Sequence, residues 1–214
     1  MLALGVPLAA SPALAQTAPP AVISRWDVGG VVGWQNVNKS DLSGRSSNDW
    51  YNRGLYGGGS LGRYWTDHHK TEVEAGGSTA ARFDVFRGYP ADKPVGYANS
   101  VLRFGTRRIA ISQHYQFFRN AWFHPHVAAG ADVNWETTTE DSGPVIAYGP
   151  TGPAREIAPA RVIGPDTRMH VRPFGEIGAK AYLARNGFFR TDLRVLAHRG
   201  INEVQVRFGL GIDF

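Results

Sequence analysis

Histidine side chains are the first residues in this 214-residue chain whose types and spacing could support chemistry. His114, His124 and His126 share one parity in two neighbouring extended segments, and a short turn would set His114 opposite His124. Imidazoles placed in this way can bind zinc or copper. No thiolate can help them, because the chain has no cysteine, and the neighbouring residues are polar groups that fill an interior without an ion. We therefore predict neither a metal nor a cofactor, and the three histidines remain candidates only.

Serine hydroxyls could act as nucleophiles only beside an orienting base. Ser100 and Ser112 have no histidine and carboxylate at an activating spacing along the sequence, although a partner could come from a distant strand. We therefore predict that the protein is not an enzyme, and catalysis stays open as the alternative.

Charged side chains alternate with apolar ones along most of the chain, which places them on one face of period-2 strands. Acids and bases on that face nearly balance. We interpret them as an ion-pair network that fills an interior, since buried charges must be paired. A hairpin that pairs Trp65 with Lys70 would set Arg63 opposite Glu72 in this network. The predicted network comprises Arg63, Glu72, Glu74, Arg82, Asp132, Arg172, Glu176, Lys180, Arg190, Asp192, Arg194 and Arg207.

The elements that must position these residues are strands. A content of 26 glycines and 12% aromatic residues suits glycine-punctuated strands better than helices. In the fourth strand the apolar residues change parity after Phe104, which predicts a bulge near Thr106 and Arg107. The longest connection, 136–167, contains five prolines and is predicted to be irregular. The predicted strands are 24–38, 52–65, 71–86, 99–117, 122–135, 169–183, 189–197 and 203–214.

Composition excludes two further classes. A mean hydropathy of −0.27, with no apolar run of about 18 residues, excludes a helical membrane protein. The net charge of +5 does not indicate a nucleic-acid partner, because the basic residues are spread singly rather than clustered. A soluble sandwich with its polar face in water remains an alternative at this point.

The last strand ends on an aromatic residue. Its apolar face, opposite glycine and polar residues, consists of Val204, Val206, Phe208, Leu210, Ile212 and Phe214. This ending resembles the carboxy-terminal signal of bacterial outer-membrane β-barrels, in which a terminal Phe follows alternating hydrophobic residues and the assembly machinery reads the strand. The residues that match the signal are Val206, Phe208, Leu210, Ile212 and Phe214.

The pattern over residues 24–214 is similar to the small OmpA/OmpX-type barrels. The resemblance implies an all-β fold, an eight-stranded antiparallel up-and-down transmembrane barrel with short periplasmic turns and longer extracellular loops. It implies a place in the bacterial outer membrane, with lipid and lipopolysaccharide around the wall and the barrel-assembly machinery as a partner during biogenesis. The loop 136–167 could contact an extracellular ligand. A structural or surface-interaction role follows, with a lipid A-modifying or protease barrel as the alternative.

The amino terminus is expected to direct export. Residues 1–15 are apolar and uncharged and end in Ala-Leu-Ala, which predicts a signal peptide cleaved after Ala15 and export through the Sec pathway. The usual positive segment before the apolar run is missing. Residues 16–23 are then a short lead into the barrel domain at 24–214.

Overall fold

Strands are the only regular elements in the described part of the chain. The computed structural model describes residues 25–38, 50–89, 96–118, 122–148, 152–197 and 201–214. The strands are β1 (Trp26–Asn38), β2 (Trp50–Tyr64), β3 (His69–Ser78), β4 (Ala81–Tyr89), β5 (Gly96–Gln116), β6 (Phe123–Ser142), β7 (Val145–Ala147), β8 (Arg155–Ala158), β9 (Arg161–Tyr182), β10 (Gly187–Ala197) and β11 (Ile201–Asp213). Within those ranges there is no helix with the length and apolarity needed to span a membrane. The predicted signal peptide and lead, 1–15 and 16–23, lie outside the described residues.

The sheet closes on itself. Strand β1 pairs antiparallel with both β2 and β11, and the order continues through β10, β9, β6 and β5 until β5 pairs with β3, the neighbour of β2. Strand β4 continues the line of β3 along β5, so the two share one position in the ring. The result is a ring of eight antiparallel strands. The predicted fold class is confirmed.

Charged side chains fill the interior of the ring and apolar side chains cover its outer wall, which is the reverse of a soluble protein. The guanidinium groups of Arg194 and Arg207 are buried within the ring, with 0% exposure, whereas Val32 on the outer wall is 64% exposed. A sandwich that folds in water would bury its apolar face and expose its charges. The soluble sandwich is therefore excluded, and the outer wall is suited to lipid.

Aromatic residues mark the two ends of the outer wall. Trp26 and Trp34 are both exposed on β1, eight residues apart, which corresponds to about 26 Å of strand at about 3.3 Å per residue. With the usual tilt of about 40°, this separation is about 20 Å along the membrane normal, close to the height of about 25 Å of an apolar band flanked by aromatic girdles.

Strand β5 corrects one prediction. Burial alternates without interruption from Gly96 to Gln116, and the register with β6 is regular throughout, so the predicted bulge near Thr106 and Arg107 is wrong. Leu102 and Phe104 face the lumen rather than lipid, with 5% and 1% exposure. They were misleading because they are apolar and yet internal. They belong to an apolar cluster inside the barrel, formed by Val37, Ala81, Phe83, Leu102 and Phe104.

The irregularity lies instead between β3 and β4. The register changes from Gly77 opposite Arg107 to Ala81 opposite Phe104, which inserts one extra residue around Thr79 and Ala80. A bulge reverses which parity faces inward.

The reversal moves Arg82 out of the predicted network. Arg82 and Asp84 are exposed on the outside of β4, while Ala81 and Phe83 are buried inside. The inward placement predicted for Arg82 is therefore wrong.

The connection 136–167 is largely regular where it is described. Strands β6 and β9 continue pairing from Trp135 opposite Met169 to Ser142 opposite Arg161, so the predicted irregular loop is wrong there. Pro165 is tolerated within β9 because the register with β6 shifts beside it, between Thr138 and Glu140. The two strands extend the barrel as a long hairpin that carries β7 and β8.

Candidate functional site

The lumen contains a continuous set of ion pairs, positioned by the inward parity of each strand. Arg190 on β10 connects three of its carboxylates. Its Nη1 donates to both oxygens of Glu72 at 2.7 Å, its Nη2 to Glu176 at 2.8 Å, and its Nε to Asp192 at 2.5 Å. All four side chains are buried. One planar guanidinium therefore joins β3, β9 and β10.

Two further arginines share the next carboxylates. Arg194 donates from Nη1 and Nη2 to the two oxygens of Glu74, each at 3.0 Å, and from Nε to Glu176 at 2.9 Å. Arg207 donates to Glu74 at 2.6 Å and to Glu176 at 2.5 Å. Each carboxylate is thus neutralised by more than one guanidinium, which is the condition under which buried charge is tolerated.

Lysines occupy the end of the lumen where the chain terminates. Lys70 donates to Asp27 at 2.9 Å and to Glu72 at 2.6 Å. Lys180 donates to Asp213 at 2.6 Å and lies 3.8 Å from the ring centre of Phe188. The hydroxyls of Tyr64 and Tyr182 donate to Asp27 and Asp213 respectively. This end of the lumen is filled by paired side chains.

The opposite half of the lumen has its own pairs. Arg108 donates to Glu203 at 2.7 Å and to Asp132 at 3.4 Å, and its guanidinium lies 5.2 Å from the ring centre of Tyr56. Arg172 approaches Glu203 at 3.4 Å. The apolar cluster around Phe104 lies beyond these pairs on the side of the long hairpin.

The structure brings together all the predicted network residues except Arg63 and Arg82. The residues found in the lumen are Glu72, Glu74, Asp132, Arg172, Glu176, Lys180, Arg190, Asp192, Arg194 and Arg207. The predicted network omits Lys70, which lies between the predicted strands 52–65 and 71–86, although it shares the parity of Glu72 and Glu74. That parity was the signal that could have identified it.

Arg63 lies on the outer wall. The hairpin pairs Tyr64 with Lys70 and Arg63 with Thr71, one residue away from the predicted register, because Trp65 closes the turn against His69. The prediction that Arg63 faces Glu72 in the lumen is therefore wrong. Its guanidinium carbon lies 4.3 Å from the ring centre of Trp65 and 5.3 Å from that of Trp26.

The histidine arrangement also differs from the prediction. His114 lies beside His126, with ring centres 5.3 Å apart, and not opposite His124. His124 instead places Nδ1 2.8 Å from the carbonyl oxygen of Phe118. Ligand atoms of His114, His126 and Glu176 lie within 4.8 Å of one another.

A metal ion at this cluster would meet strong competition. Glu176 already accepts hydrogen bonds from Arg190, Arg194 and Arg207. A divalent cation would have to displace these three guanidinium groups or be repelled by them. We therefore assign the cluster to the ion-pair network.

One serine does contact a histidine. The Oγ of Ser112 lies 2.9 Å from Nε2 of His114, a contact that spacing along the sequence did not predict. The same Nε2 faces Glu72 at 3.8 Å. In a catalytic triad the base contacts the nucleophile with one ring nitrogen and the acid with the other. Because both contacts here involve one nitrogen, and Ser112 and His114 are buried, the group is arranged as part of the lumen filling.

The terminal strand closes the ring. Glu203, Gln205 and Arg207 are fully buried in the lumen, and the outer face carries exposed Leu210 and Phe214. The other predicted signal residues, Val206, Phe208 and Ile212, lie on the same outer face. The rings of Phe208 and Trp34 meet edge to face, with their centres 6.0 Å apart. The backbones of Phe214 and Trp26 exchange two hydrogen bonds, at 2.9 and 3.0 Å.

Known proteins resemble this chain in structure rather than in sequence. No family model and no curated protein matches it. Neisserial surface protein A (NspA) shares 12% identity over 89% of this chain and 98% of its own, with a TM-score of 0.55. The fold is that of a small outer-membrane β-barrel. At this identity the similarity establishes the fold alone.

Two further solved structures align over a similar extent. OprG from Pseudomonas aeruginosa shares 12% identity over 89% of this chain and 97% of its own, with a TM-score of 0.49. The N-terminal barrel domain of Pseudomonas aeruginosa OprF shares 14% identity over 89% and 98%, with a TM-score of 0.48.

Proposed function

We propose that this protein is a non-enzymatic barrel of the bacterial outer membrane with a structural or surface-interaction role. The observation that carries the proposal is the filled lumen. Arg108, Arg194 and Arg207 are among the largest fully buried side chains, and each is paired across the interior. An eight-stranded barrel has an interior just wide enough for such side chains. A filled lumen supports a scaffold rather than an open channel.

We propose that the surface role belongs to the long hairpin of β6 and β9. Residues 161–169 are exposed on both faces of β9, and Val162 and Ile163 present apolar side chains there. Residues that project from a rigid barrel are well suited to recognition. The extracellular ligand predicted for 136–167 therefore remains a proposal, with the ordered hairpin as its contact surface.

The remaining partners follow from location. Membrane lipid and lipopolysaccharide would surround the apolar wall, and the barrel-assembly machinery would read the strand that ends at Phe214. Export through the Sec pathway, directed by residues 1–15, would bring the chain to that machinery.

Fractionation and conductance together test the proposal. We expect the protein in the outer-membrane fraction and, after reconstitution into planar bilayers, no stable current of the size carried by a wide porin. A steady porin-like conductance would contradict the scaffold role and indicate a channel instead. Recovery of a folded, monodisperse protein without detergent would overturn the membrane location.

Incubation with labelled lipid A and with peptides tests the enzymatic alternative. We expect no turnover. Ser112 is the residue to replace if turnover is found, because of its contact with His114. Turnover that disappears in Ser112→Ala, while the barrel stays folded, would establish catalysis instead.

A further inference from the structure

A polar row crosses the outer wall near the end where the chain terminates. Adjacent strands β1, β2, β3 and β5 place Trp26, Arg63, Thr71 and Gln113 in register as consecutive partners. All four face outward, and Arg63 and Gln113 are exposed. A guanidinium and an amide on a wall built for lipid require an explanation.

The neighbouring row fixes the depth of these groups. One step along each strand, on the same face, the partners are Val28, Leu61, Val73 and Ile111, all apolar and exposed. A step of two residues is about 6.6 Å. The wall thus changes from purely apolar to polar within a single step, which places the Arg63 row at the edge of the hydrocarbon.

The row on the other side is aromatic and imidazole. His69 pairs with Tyr115 there, with ring centres 5.2 Å apart, and Trp65 hydrogen-bonds with the backbone of His69. Tryptophan and tyrosine favour the headgroup level of a bilayer. Arg63 therefore lies between hydrocarbon and an aromatic belt.

The position of the Arg63 guanidinium is fixed by its neighbours. It lies between the indole rings of Trp65 and Trp26, with 4.3 and 5.3 Å to their centres. The indole N–H of Trp65 donates to Oγ1 of Thr71 at 2.8 Å, and that hydroxyl donates to Oε1 of Gln113 at 2.7 Å. This chain of bonds holds Trp65 against Arg63 and leaves the amide nitrogen of Gln113 available.

Two side chains in this row, Arg63 and Gln113, have unused donors. Neither the guanidinium of Arg63 nor the amide nitrogen of Gln113 makes a hydrogen bond or ion pair with any described residue. A guanidinium presents donors in a planar fork that matches the oxygens of a phosphate. A ligand at this depth, beside hydrocarbon, must itself belong to the membrane.

We propose that Arg63 and Gln113, with Trp26 and Trp65, bind the phosphate of a glycerophospholipid on the side of the membrane where the chain ends. The inference rests on the proposed membrane location. The arginine supplies charge and paired donors, the amide a third donor, and the indoles pack on the adjoining glycerol and upper chain. The row of Val28, Leu61, Val73 and Ile111 then contacts the acyl chains.

Lipid titration of the whole barrel tests the site. The folded barrel in a neutral detergent is titrated with phosphatidylglycerol and followed by native mass spectrometry, with diacylglycerol of the same chains and inorganic phosphate as comparison ligands. We expect saturable phosphatidylglycerol binding that falls at least about tenfold in Arg63→Gln, the loss of a charged hydrogen bond. Gln113→Leu should lose a smaller factor, and Arg63→Lys should retain part of the affinity.

Arg185→Gln is the matched control, because Arg185 is exposed in the turn before β10, away from the row. Equal losses in the Arg63 and Arg185 variants would overturn the site, and so would equal binding of diacylglycerol. Competition by free phosphate as effective as that of the lipid would make it an anion site only and overturn the lipid assignment. Flotation with liposomes tests the membrane location separately from the lipid site. Arg63→Gln should float like the unaltered barrel. Failure of the unaltered barrel to float would count against the membrane location instead.

Discussion

Arg207 on the last strand reaches across the lumen to Glu74 on β3, where its Nη1 lies 2.6 Å from Oε2. The two strands are not neighbours, because β1 and β2 separate them around the ring. Arg194 on β10 bonds the same carboxylate. Glu74 therefore connects β3 through ion pairs to β10 and β11, which lie on a distant part of the barrel wall.

Glu74→Gln should destabilise the folded barrel strongly. The substitution removes the charge that pairs two buried guanidinium groups, and breaking a buried ion pair costs about 3–5 kcal/mol. Urea unfolding in lipid vesicles measures the free energy. Asp141→Asn is the control, since the Arg103–Asp141 pair has side chains 46% and 33% exposed and exposed pairs contribute about 0–1 kcal/mol. Equal effects of the two substitutions would show that the lumen pairs do not hold the barrel together.

Leu210→Arg should impair insertion. Leu210 is exposed on the outer wall opposite Gly30, midway between Trp26 and Trp34, and an arginine near the bilayer midplane costs about 2–4 kcal/mol. The folded fraction on gels without heating measures insertion. Normal insertion of this variant would show that this wall does not face hydrocarbon.

The control for Leu210→Arg must be chosen from the structure. Gly209→Ala, a lumen-facing change beside Leu210, is unsuitable because a Cβ there would lie 2.9 Å from the backbone oxygen of Gly30. Gly175→Ala has no atom within 4 Å of the new Cβ and should insert normally.

Strand number, order and facing could be predicted from the sequence wherever charge and apolar residues alternate. The last strand shows why: Glu203 and Arg207 belong in a paired interior and Leu210 on lipid, so a slip of one residue would be costly. Most of the ion-pair network followed from the same parity.

The remaining errors have local physical causes. Leu102 and Phe104 are apolar and internal, so hydropathy alone placed them on lipid. Arg63 lies on the outer wall because the turn between β2 and β3 closes one residue earlier than predicted. No charge pattern specifies the length of a turn. The contact between His114 and His126 depends on the register of β5 with β6, which spacing along the chain does not determine.

Single cysteines can check the corrected facing of β5, because the chain has none of its own. In the folded barrel we expect N-ethylmaleimide to label Val101→Cys, which pairs with Asp84 on the outside of β4, and to spare Leu102→Cys, because Leu102 is buried among internal apolar residues. Unfolded protein, in which both should react, provides the control. Labelling of Leu102→Cys but not Val101→Cys would show that Leu102 faces outward and that the predicted bulge is present.

Phe214→Ala should slow assembly in cells while leaving refolding in detergent nearly unchanged. The ring of Phe214 is 60% exposed at the edge of the barrel and contributes little to packing, whereas its backbone bonds to Trp26 persist in the alanine variant. Deleting the residue would remove those bonds as well, so substitution is the cleaner change. The measurement compares the heat-modifiable folded fraction over time in cells with that in detergent.

Phe118→Ala is the control for a lost ring, since Phe118 is 54% exposed and lies just after the end of β5. It should leave assembly in cells unchanged if the machinery reads the terminal strand. A defect in detergent refolding as large as the defect in cells would mean that Phe214 acts through packing and not as an assembly signal. A change of less than about 1 kcal/mol in detergent, with a clear delay in cells, is the result that the exposed position predicts.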